Sequence, residues 1–367
     1  MNNNSLKQDK LPFCWAPWVA IQYSSIRYEG GIAPCCEWQT DYVGWFRGNL
    51  SEYKDSTWLA DVKKQMLNHD MEKINVSCKE CITDEKVSNH SSRTWMHNKI
   101  RSKNWNTEDF QFLDFRPGNT CNLKCRMCNA RNSDQIADEE GITVTKRNVD
   151  DIINLDFSKI KDVRVIGGEP SIDPKIHSFL DYLIKENFCS NIDLQFSTNC
   201  TNTNSKWLNR ISKFRHVHMD LSIDATGNIL EYCRKGTSWP IIKKNIEILK
   251  QIDGYSFHVT AGIYNYSTIE KWFDYFLKQE NVQQYPLFGP SEQSLLTLPN
   301  AIKEEKIEWL SKIDHPYAKE AISIFNMFEF NKNHYDSFVR YTKNKDKIRN
   351  ESVLDLDPVF KRIMNYV

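Results

Sequence analysis

Three cysteines stand in one short loop of this 367-residue chain, in the sequence Cys121-Asn-Leu-Lys-Cys125-Arg-Met-Cys128. The loop follows an alternating apolar run at residues 110–115 and a Pro-Gly turn at 117–118. Thiolates are soft ligands for iron–sulfur clusters or for zinc. Three of them can hold three corners of a cubane cluster and leave the fourth open, whereas a structural zinc site closes with a fourth ligand. Because no His or Cys follows nearby, the loop predicts an iron–sulfur site at the end of a strand.

From residue 109 the sequence alternates between strand and helix patterns, which is typical of parallel β/α architecture. About six β/α units are too few for a closed eight-fold barrel. The predicted strands are residues 110–116, 162–166, 192–196, 217–223, 257–263 and 284–288. Ligands gather at the carboxyl ends of such strands. The sequence places the cysteine loop there, together with Gly167-Gly168-Glu169-Pro170, Ser197-Thr198-Asn199 and Ser222-Ile-Asp224.

The C-x3-C-x2-C spacing resembles the cluster loop of the radical S-adenosylmethionine (SAM) superfamily, and Gly-Gly-Glu-Pro resembles that family's GGE motif. The resemblance implies an α/β fold, a partial (β/α)6 barrel. It also implies a 4Fe–4S cluster on Cys121, Cys125 and Cys128, with SAM on the open iron. The residues it assigns to SAM binding are Met127, Gly167, Gly168, Glu169, Pro170, Thr198, Asn199, Ser222, Asp224 and Arg234.

The roles that the resemblance implies differ among these residues. Glu169 would lie near the amino group of SAM, and Ser222 with Asp224 would bind the ribose. Arg234 would pair with the SAM carboxylate through its planar guanidinium. Met127 stands where an aromatic residue is commoner, and its polarizable side chain can pack against a ring.

Five further cysteines lie in the N-terminal region, at Cys14, Cys35, Cys36, Cys78 and Cys81. They resemble the twitch (half-SPASM) module, here placed before the barrel instead of after it. The module implies a second, auxiliary 4Fe–4S cluster, while zinc is the rival metal for a C-x2-C pair. We predict Cys14, Cys35, Cys78 and Cys81 as its ligands. Adjacent residues on a strand point to opposite faces, so only one of Cys35 and Cys36 should bind, and Cys36 is the fallback.

The predicted domain organisation has four parts. Residues 1–10 are expected to be disordered, 11–108 to form a small α+β auxiliary-cluster domain, 109–290 the core barrel, and 291–367 a helical C-terminal extension. We expect the extension to pack on the core or cover the substrate. Cys189, Cys200 and Cys233 are expected to be buried structural thiols.

Composition excludes several classes of protein. With 48 basic and 48 acidic side chains, no global field favours nucleic acid. The mean hydropathy of −0.60 and the lack of a long apolar run predict no membrane span. The polar N-terminus has no signal-peptide core. Eleven clustered cysteines favour metal chemistry in a cytoplasmic protein over disulfides.

The function implied by the resemblance is reductive cleavage of SAM to a 5′-deoxyadenosyl radical, which abstracts hydrogen from a substrate. A peptide or protein is the leading substrate class, and the electron would come from an external flavodoxin- or ferredoxin-like donor. One alternative is a radical enzyme acting on a sugar, a nucleotide or another small molecule. The alternative of another class is a zinc-stabilised, non-catalytic binding or adaptor protein.

Overall fold

The computed structural model describes residues 13–26, 30–38, 44–87 and 91–366. Its strands in chain order are β1 (Ala20–Ser24), β2 (Gly31–Ala33), β3 (Phe112–Arg116), β4 (Lys124–Cys125), β5 (Asp162–Val165), β6 (Asp193–Thr198), β7 (His216–Ser222), β8 (Arg234–Lys235), β9 (Gly254–Ala261) and β10 (Val282–Pro286). All the strands predicted from residue 110 onward are present, with ends displaced by up to three residues. The disorder expected for residues 1–10 lies outside the described residues.

Helices connect these strands and make up most of the C-terminal part. The α-helices are Ala16–Val19, Leu50–Tyr53, Thr57–Asn68, Met71–Ser77, Lys79–Val87, Ser92–Lys103, Asp134–Glu140, Pro174–Lys185, Ser205–Ile211, Gly227–Cys233, Trp239–Leu249, Ile263–Tyr266, Phe273–Leu277, Asn300–Ser311, Pro316–Asn326, Lys332–Arg349 and Val359–Met364. Short 3-10 turns lie at Asp150–Asn154, Cys189–Asn191, Ile269–Lys271, Ser291–Gln293, Leu295–Thr297 and Val353–Asp355. The chain is thus an α/β protein. None of the helices in the described ranges combines the length and apolar character needed to cross a bilayer.

The chain divides into two compact units. The first comprises Met1–Asn119, Thr143–Gln195 and Asn209–His216. In it β1 pairs antiparallel with β2 and parallel with β3, and β3 pairs parallel with β5. The hairpin of the N-terminal cysteine region therefore lies directly beside β3, the first strand predicted for the core. The domain boundaries expected from the sequence stay a prediction.

A dense aromatic and aliphatic cluster stabilises this first unit. Trp38, Trp45, Val62 and Phe112 are all almost fully buried within it, and Cys14 belongs to the same cluster. Burying such side chains is favourable by about 1.5–3 kcal/mol each. The N-terminal cysteines therefore lie against a packed core and not in an open loop.

The second unit comprises Thr120–Ile142, Phe196–Leu208 and Val217–Val367. Here β7 pairs parallel with β9 and β9 with β10, while β4 pairs antiparallel with β8. Along β7 the apolar side chains Val217, Met219 and Leu221 are buried on one face. Because side chains alternate along a strand, His218, Asp220 and Ser222 lie on the other face. β6 begins in the first unit and ends in the second.

Candidate functional site

The backbone of the cysteine loop is held at three points. β4 contains Cys125, which stands opposite Arg234 of β8. The amide of Cys121 donates to the Asp134 carboxylate at 3.0 Å. The amide of Cys128 donates to the carbonyl of Cys125 at 3.1 Å, which closes a turn between the second and third thiols. The backbone of the loop is therefore fixed by hydrogen bonds to other parts of the chain and within the loop.

The three thiols of this loop lie near one another. Cys128 interacts electrostatically with both Cys121 and Cys125, and all three residues are half-buried. Burial raises the pKa of Cys125 to about 12 and that of Cys128 to about 11. These two thiols are therefore protonated at neutral pH in the free protein. A metal has to displace those protons when it binds, and it supplies the positive charge that stabilises the thiolates.

A buried ion pair lies beside the second cysteine. The guanidinium of Arg234 is 4.0 Å from the Cys125 sulfur, and its Nε donates to Asp224 at 2.7 Å. The other carboxylate oxygen of Asp224 accepts from the amide of Thr260 at 2.9 Å. Asp224 is 0% exposed and Arg234 is 9% exposed. Two residues predicted to bind SAM are thus in contact with each other, and one of them approaches the cysteine loop.

A small polar network connects the end of β6 to the cysteine loop. The amide nitrogen of the Asn199 side chain donates to the Asn122 side chain at 3.0 Å, and Asn122 donates to Thr201 at 2.9 Å. The Thr201 hydroxyl closes the ring by donating to Asn199 at 2.6 Å. Thr198 accepts from the amide of Cys200 at 3.1 Å. Asn122 and Thr201 were not predicted as site residues, although Asn122 follows the first loop cysteine and Thr201 lies two residues after Asn199.

The remaining predicted SAM contacts of the second unit are partly accessible. Met127, between the second and third cysteines, is half-buried. Ser222 ends β7, is half-buried, and stands opposite His258 of β9. Both side chains are therefore reachable from solvent, as a ligand contact requires.

The Gly-Gly-Glu-Pro turn lies in the first unit. A Cβ atom on Gly167 would stand 2.8 Å from the carbonyl oxygen of Gly118, so the close approach of these two backbones requires glycine. The carboxylate of Glu169 is fully buried and accepts from the amide and hydroxyl of Ser171, at 3.1 and 2.6 Å. Pro170 is buried and Gly168 is half-buried. The turn is therefore tight and internally hydrogen-bonded.

The N-terminal cysteines interact with one another. Cys35 interacts electrostatically with Cys36 most strongly, and then with Cys14, Cys78 and Cys81. Burial raises the pKa of Cys14 to about 11 and that of Cys81 to about 12. Burial also raises the pKa of Cys35 and Cys78. Like the loop thiols, these groups are protonated without a metal.

The fifth cysteine, Cys36, interacts with Cys35 and Cys81 and also has charged and polar neighbours. Burial raises the pKa of Cys36, and the nearby charge of Arg164 opposes that rise. The Cys36 thiol donates to Glu37 at 3.3 Å and lies 3.9 Å from the Ser92 hydroxyl. Arg164 is itself paired with Asp114. Because β2 ends at Ala33, Cys35 and Cys36 lie beyond the strand, and the alternation expected for them does not apply. The choice of Cys35 over Cys36 as a ligand stays a prediction.

The two cysteine groups can be compared with the metal sites predicted for them. In residues 13–26, 30–38, 44–87 and 91–366, no three His, Cys, Asp or Glu side chains are arranged as ligands of one metal ion. Both cysteine groups offer thiols only, and thiols are the ligands of iron–sulfur clusters. The loop cysteines thus fit an iron–sulfur cluster in the type of their donor atoms, and not by an arrangement of their side chains around one metal ion.

A further polar group lies on the open face of β7 and was missed in the sequence. Asp220 is 3.4 Å from His218 and 3.3 Å from His258, and the Ser256 hydroxyl donates to it at 3.2 Å. Burial lowers the pKa of His258, partly offset by Asp220. The polar alternation 218, 220, 222, 224 along one face could have indicated this group.

Part of the chain is similar to a known protein family. Residues 115–276 match the model of the Radical SAM superfamily, which is less than half of the chain. This segment contains Cys121, Cys125 and Cys128, the Gly-Gly-Glu-Pro turn, and Arg234. No curated protein matches the chain.

Several solved structures are similar to the chain. Hexahistidine-tagged anSMEcpe with bound AdoMet is 17% identical over 55% of this chain and 57% of that chain, with a TM-score of 0.42. Native anSMEcpe with bound AdoMet is 16% identical over 66% and 67%, with a TM-score of 0.43. Streptococcus suis SuiB bound to S-adenosylmethionine is 14% identical over 77% and 64%, with a TM-score of 0.38.

These likenesses are weaker than the family match. The alignment spans little more than half the length of the tagged anSMEcpe chain, and each of these TM-scores lies below 0.5. The likeness of this chain to known proteins therefore rests on the family model, which residues 115–276 match and which contains the cysteine loop. Residues 115–276 are similar to the Radical SAM superfamily.

Proposed function

We propose that the chain is a radical SAM enzyme whose cysteine loop holds a SAM-binding 4Fe–4S cluster. The observation that carries the proposal is the group of three neighbouring thiols, Cys121, Cys125 and Cys128, inside the segment that matches the family. When bound, such a cluster supplies one electron to SAM, which yields methionine and a 5′-deoxyadenosyl radical that abstracts hydrogen from the substrate. The surrounding protein binds and orients SAM and the substrate, and it excludes water from the site.

The buried Asp224–Arg234 pair would orient SAM beside the loop. Asp224 fixes the Nε edge of the guanidinium, so the other edge can donate to the SAM carboxylate. Each carboxylate oxygen of Asp224 has two acceptor positions, so Asp224 can still accept a ribose hydroxyl along with Ser222. Thr198 and Asn199, tied to Asn122, would support the same ligand.

The other SAM contacts are proposed from the resemblance. The glycine backbone at Gly167 and Gly168 and the carboxylate of Glu169 suit the amino group of SAM, with Pro170 holding the turn. Met127 suits the adenine ring. Residues 109–290 would form the partial (β/α)6 barrel that presents these groups.

We also propose a second 4Fe–4S cluster, on Cys14, Cys35, Cys78 and Cys81, within a twitch-like module at residues 11–108. The mutual electrostatic interactions of these four thiols support it. A closed set of four cysteines completes a cubane without an open corner. Such a cluster can accept an electron from the substrate radical or bind the substrate.

A peptide or protein is the proposed substrate class. The N-terminal cysteine region resembles a twitch module, and radical SAM proteins with such modules often modify peptides. The face of β7 that carries His218 and Asp220 offers polar contacts for such a substrate. A flavodoxin- or ferredoxin-like protein is the proposed electron donor, and a cytoplasmic location stays a prediction.

Electron paramagnetic resonance tests the proposed function. After anaerobic reconstitution and reduction with dithionite, the wild-type spectrum is expected to change when SAM is added, because SAM binds the open iron. Cys128→Ala should remove this response. Cys189→Ala, which removes a buried thiol outside both cysteine groups, should respond like the wild type. A wild-type spectrum that ignores SAM, or a Cys128→Ala protein that responds fully, would contradict the proposal.

A further inference from the structure

One cation inside the cysteine loop is completely buried. Arg126 lies between the second and third cysteines, and its side chain is 0% exposed. Its Nη2 donates to both Asp346 and Glu351, each at 2.6 Å. Both acids belong to the C-terminal extension, more than 200 residues further along the chain. A charge this deeply buried is stable only when it is paired.

The rest of the guanidinium is enclosed by aromatic rings. Its carbon lies 3.7 Å from the ring centre of Tyr232 and 5.4 Å from that of Tyr264. Nε and Nη1 of Arg126 have no hydrogen-bond acceptor among the residues that the structure describes. The negative face of an aromatic ring attracts a cation, so these two rings stabilise the buried guanidinium.

The two carboxylates are themselves fixed. Asp346 accepts from the Tyr232 hydroxyl at 2.7 Å, and its second oxygen accepts from the amide of Val353 at 2.8 Å. Glu351 accepts from Lys235 at 2.9 Å. Arg126 and Lys235 thus balance Asp346 and Glu351, two charges against two. Each acid is therefore held by at least one partner besides Arg126, which fixes its position relative to the loop.

The backbone of Arg126 is held as firmly as its side chain. Its amide donates to the carbonyl of Cys233 at 2.7 Å. Its carbonyl accepts from the Gln293 side-chain amide and from the Tyr341 hydroxyl, the latter at 3.1 Å. The C-terminal extension therefore binds both the main chain and the side chain of Arg126, which lies between Cys125 and Cys128.

We infer that Arg126 is a positioning residue for the cluster ligands, and that Asp346 and Glu351 make the C-terminal extension part of the cluster site. The extension thus sets the relative orientation of the Cys125 and Cys128 thiols. The cluster itself rests on the proposed function, whereas the hold on the loop is a property of the metal-free chain.

Hydrogen exchange on the metal-free full chain tests this inference. In the Asp346→Asn/Glu351→Gln double variant, the amides of Arg126 and Cys128 should exchange at least about ten-fold faster than in the wild type. Glu270→Gln, which breaks the ion pair between Lys306 and Glu270 elsewhere in the same unit, should leave both amides unchanged. If amides along the whole chain exchange rapidly in the double variant, the variant does not fold. The test is then made with the two single variants, because each keeps one carboxylate paired with Arg126.

A second readout concerns the ligands directly. In reconstituted protein, iron on the loop should be lost to a chelator faster in Glu351→Gln than in Glu270→Gln, and the spectrum of the reduced cluster should shift. Arg126→Lys keeps the positive charge that pairs with Asp346 and Glu351, so its iron loss should be slower than that of Arg126→Met. Unchanged exchange at Arg126 and Cys128 in both single variants would overturn the inference. Altered exchange in a protein that never holds iron would leave the inference standing and overturn the proposed function instead.

Discussion

Cys35→Ala is expected to lower the bound iron of reconstituted protein from about eight towards four per chain, because one iron of the auxiliary cubane then has no protein ligand and no SAM to occupy that corner. Cys35 interacts with Cys14, Cys78 and Cys81. The substitution would leave three ligands in the auxiliary site and would not touch the loop at Cys121. Iron and acid-labile sulfide analysis measures the result.

The neighbouring thiol supplies a matched control. Cys36→Ser removes a sulfur one residue away, but the main neighbours of that sulfur are Glu37, Ser92 and Arg164. Iron should therefore stay near eight per chain in this variant, at about four for each of two cubanes. Equal loss of iron from both variants would refute the choice of Cys35. Wild-type protein with one cluster and one zinc ion would refute the auxiliary cluster itself.

Asp224→Asn is expected to lower the free energy of unfolding by about 3 kcal/mol, because it leaves the buried Arg234 cation without its counter-charge. It should also weaken SAM binding about ten-fold or more, since one lost charged hydrogen bond is worth about 1.5–3 kcal/mol. Urea unfolding of the metal-free chain measures the first effect. A SAM titration of the reconstituted protein measures the second.

An exposed ion pair of similar geometry is the control for this change. Arg210 donates to Asp181 at 2.6 Å, but the Asp181 side chain is 56% exposed. Asp181→Asn should cost less than about 1 kcal/mol, because water replaces the lost charge. If Asp224→Asn is no more destabilising than Asp181→Asn, the buried pair does not support the site as we describe it.

The parts of the fold visible in the sequence are those with local causes. Alternation along β7 and the turn residues after β5 depend on neighbours in the chain, so those strands were predictable to within a few residues. The loop cysteines were predictable for the same reason, since one short spacing brings three thiols into reach. The placement of β1 beside β3 was not, because strand pairing over about ninety residues leaves no local signal.

The site contacts that escaped the sequence are long-range ones. Nothing near Arg126 indicates that Asp346 and Glu351 will pair with it. Asp224 and Arg234 were both selected as ligand contacts, yet their pairing with each other depends on how β8 returns along β4. A motif identifies which residues carry the chemistry, whereas packing decides which of them hold the others in place.

The most direct test of whether the cysteine loop supports cleavage of SAM is a measurement of SAM turnover. Reduced wild-type protein with SAM should form 5′-deoxyadenosine and methionine in equal amounts, slowly even without a substrate. A Cys121/Cys125/Cys128→Ala variant should form neither while still binding iron at the N-terminal cysteines. Formation of 5′-deoxyadenosine at the wild-type rate by that variant would contradict the assignment of the loop.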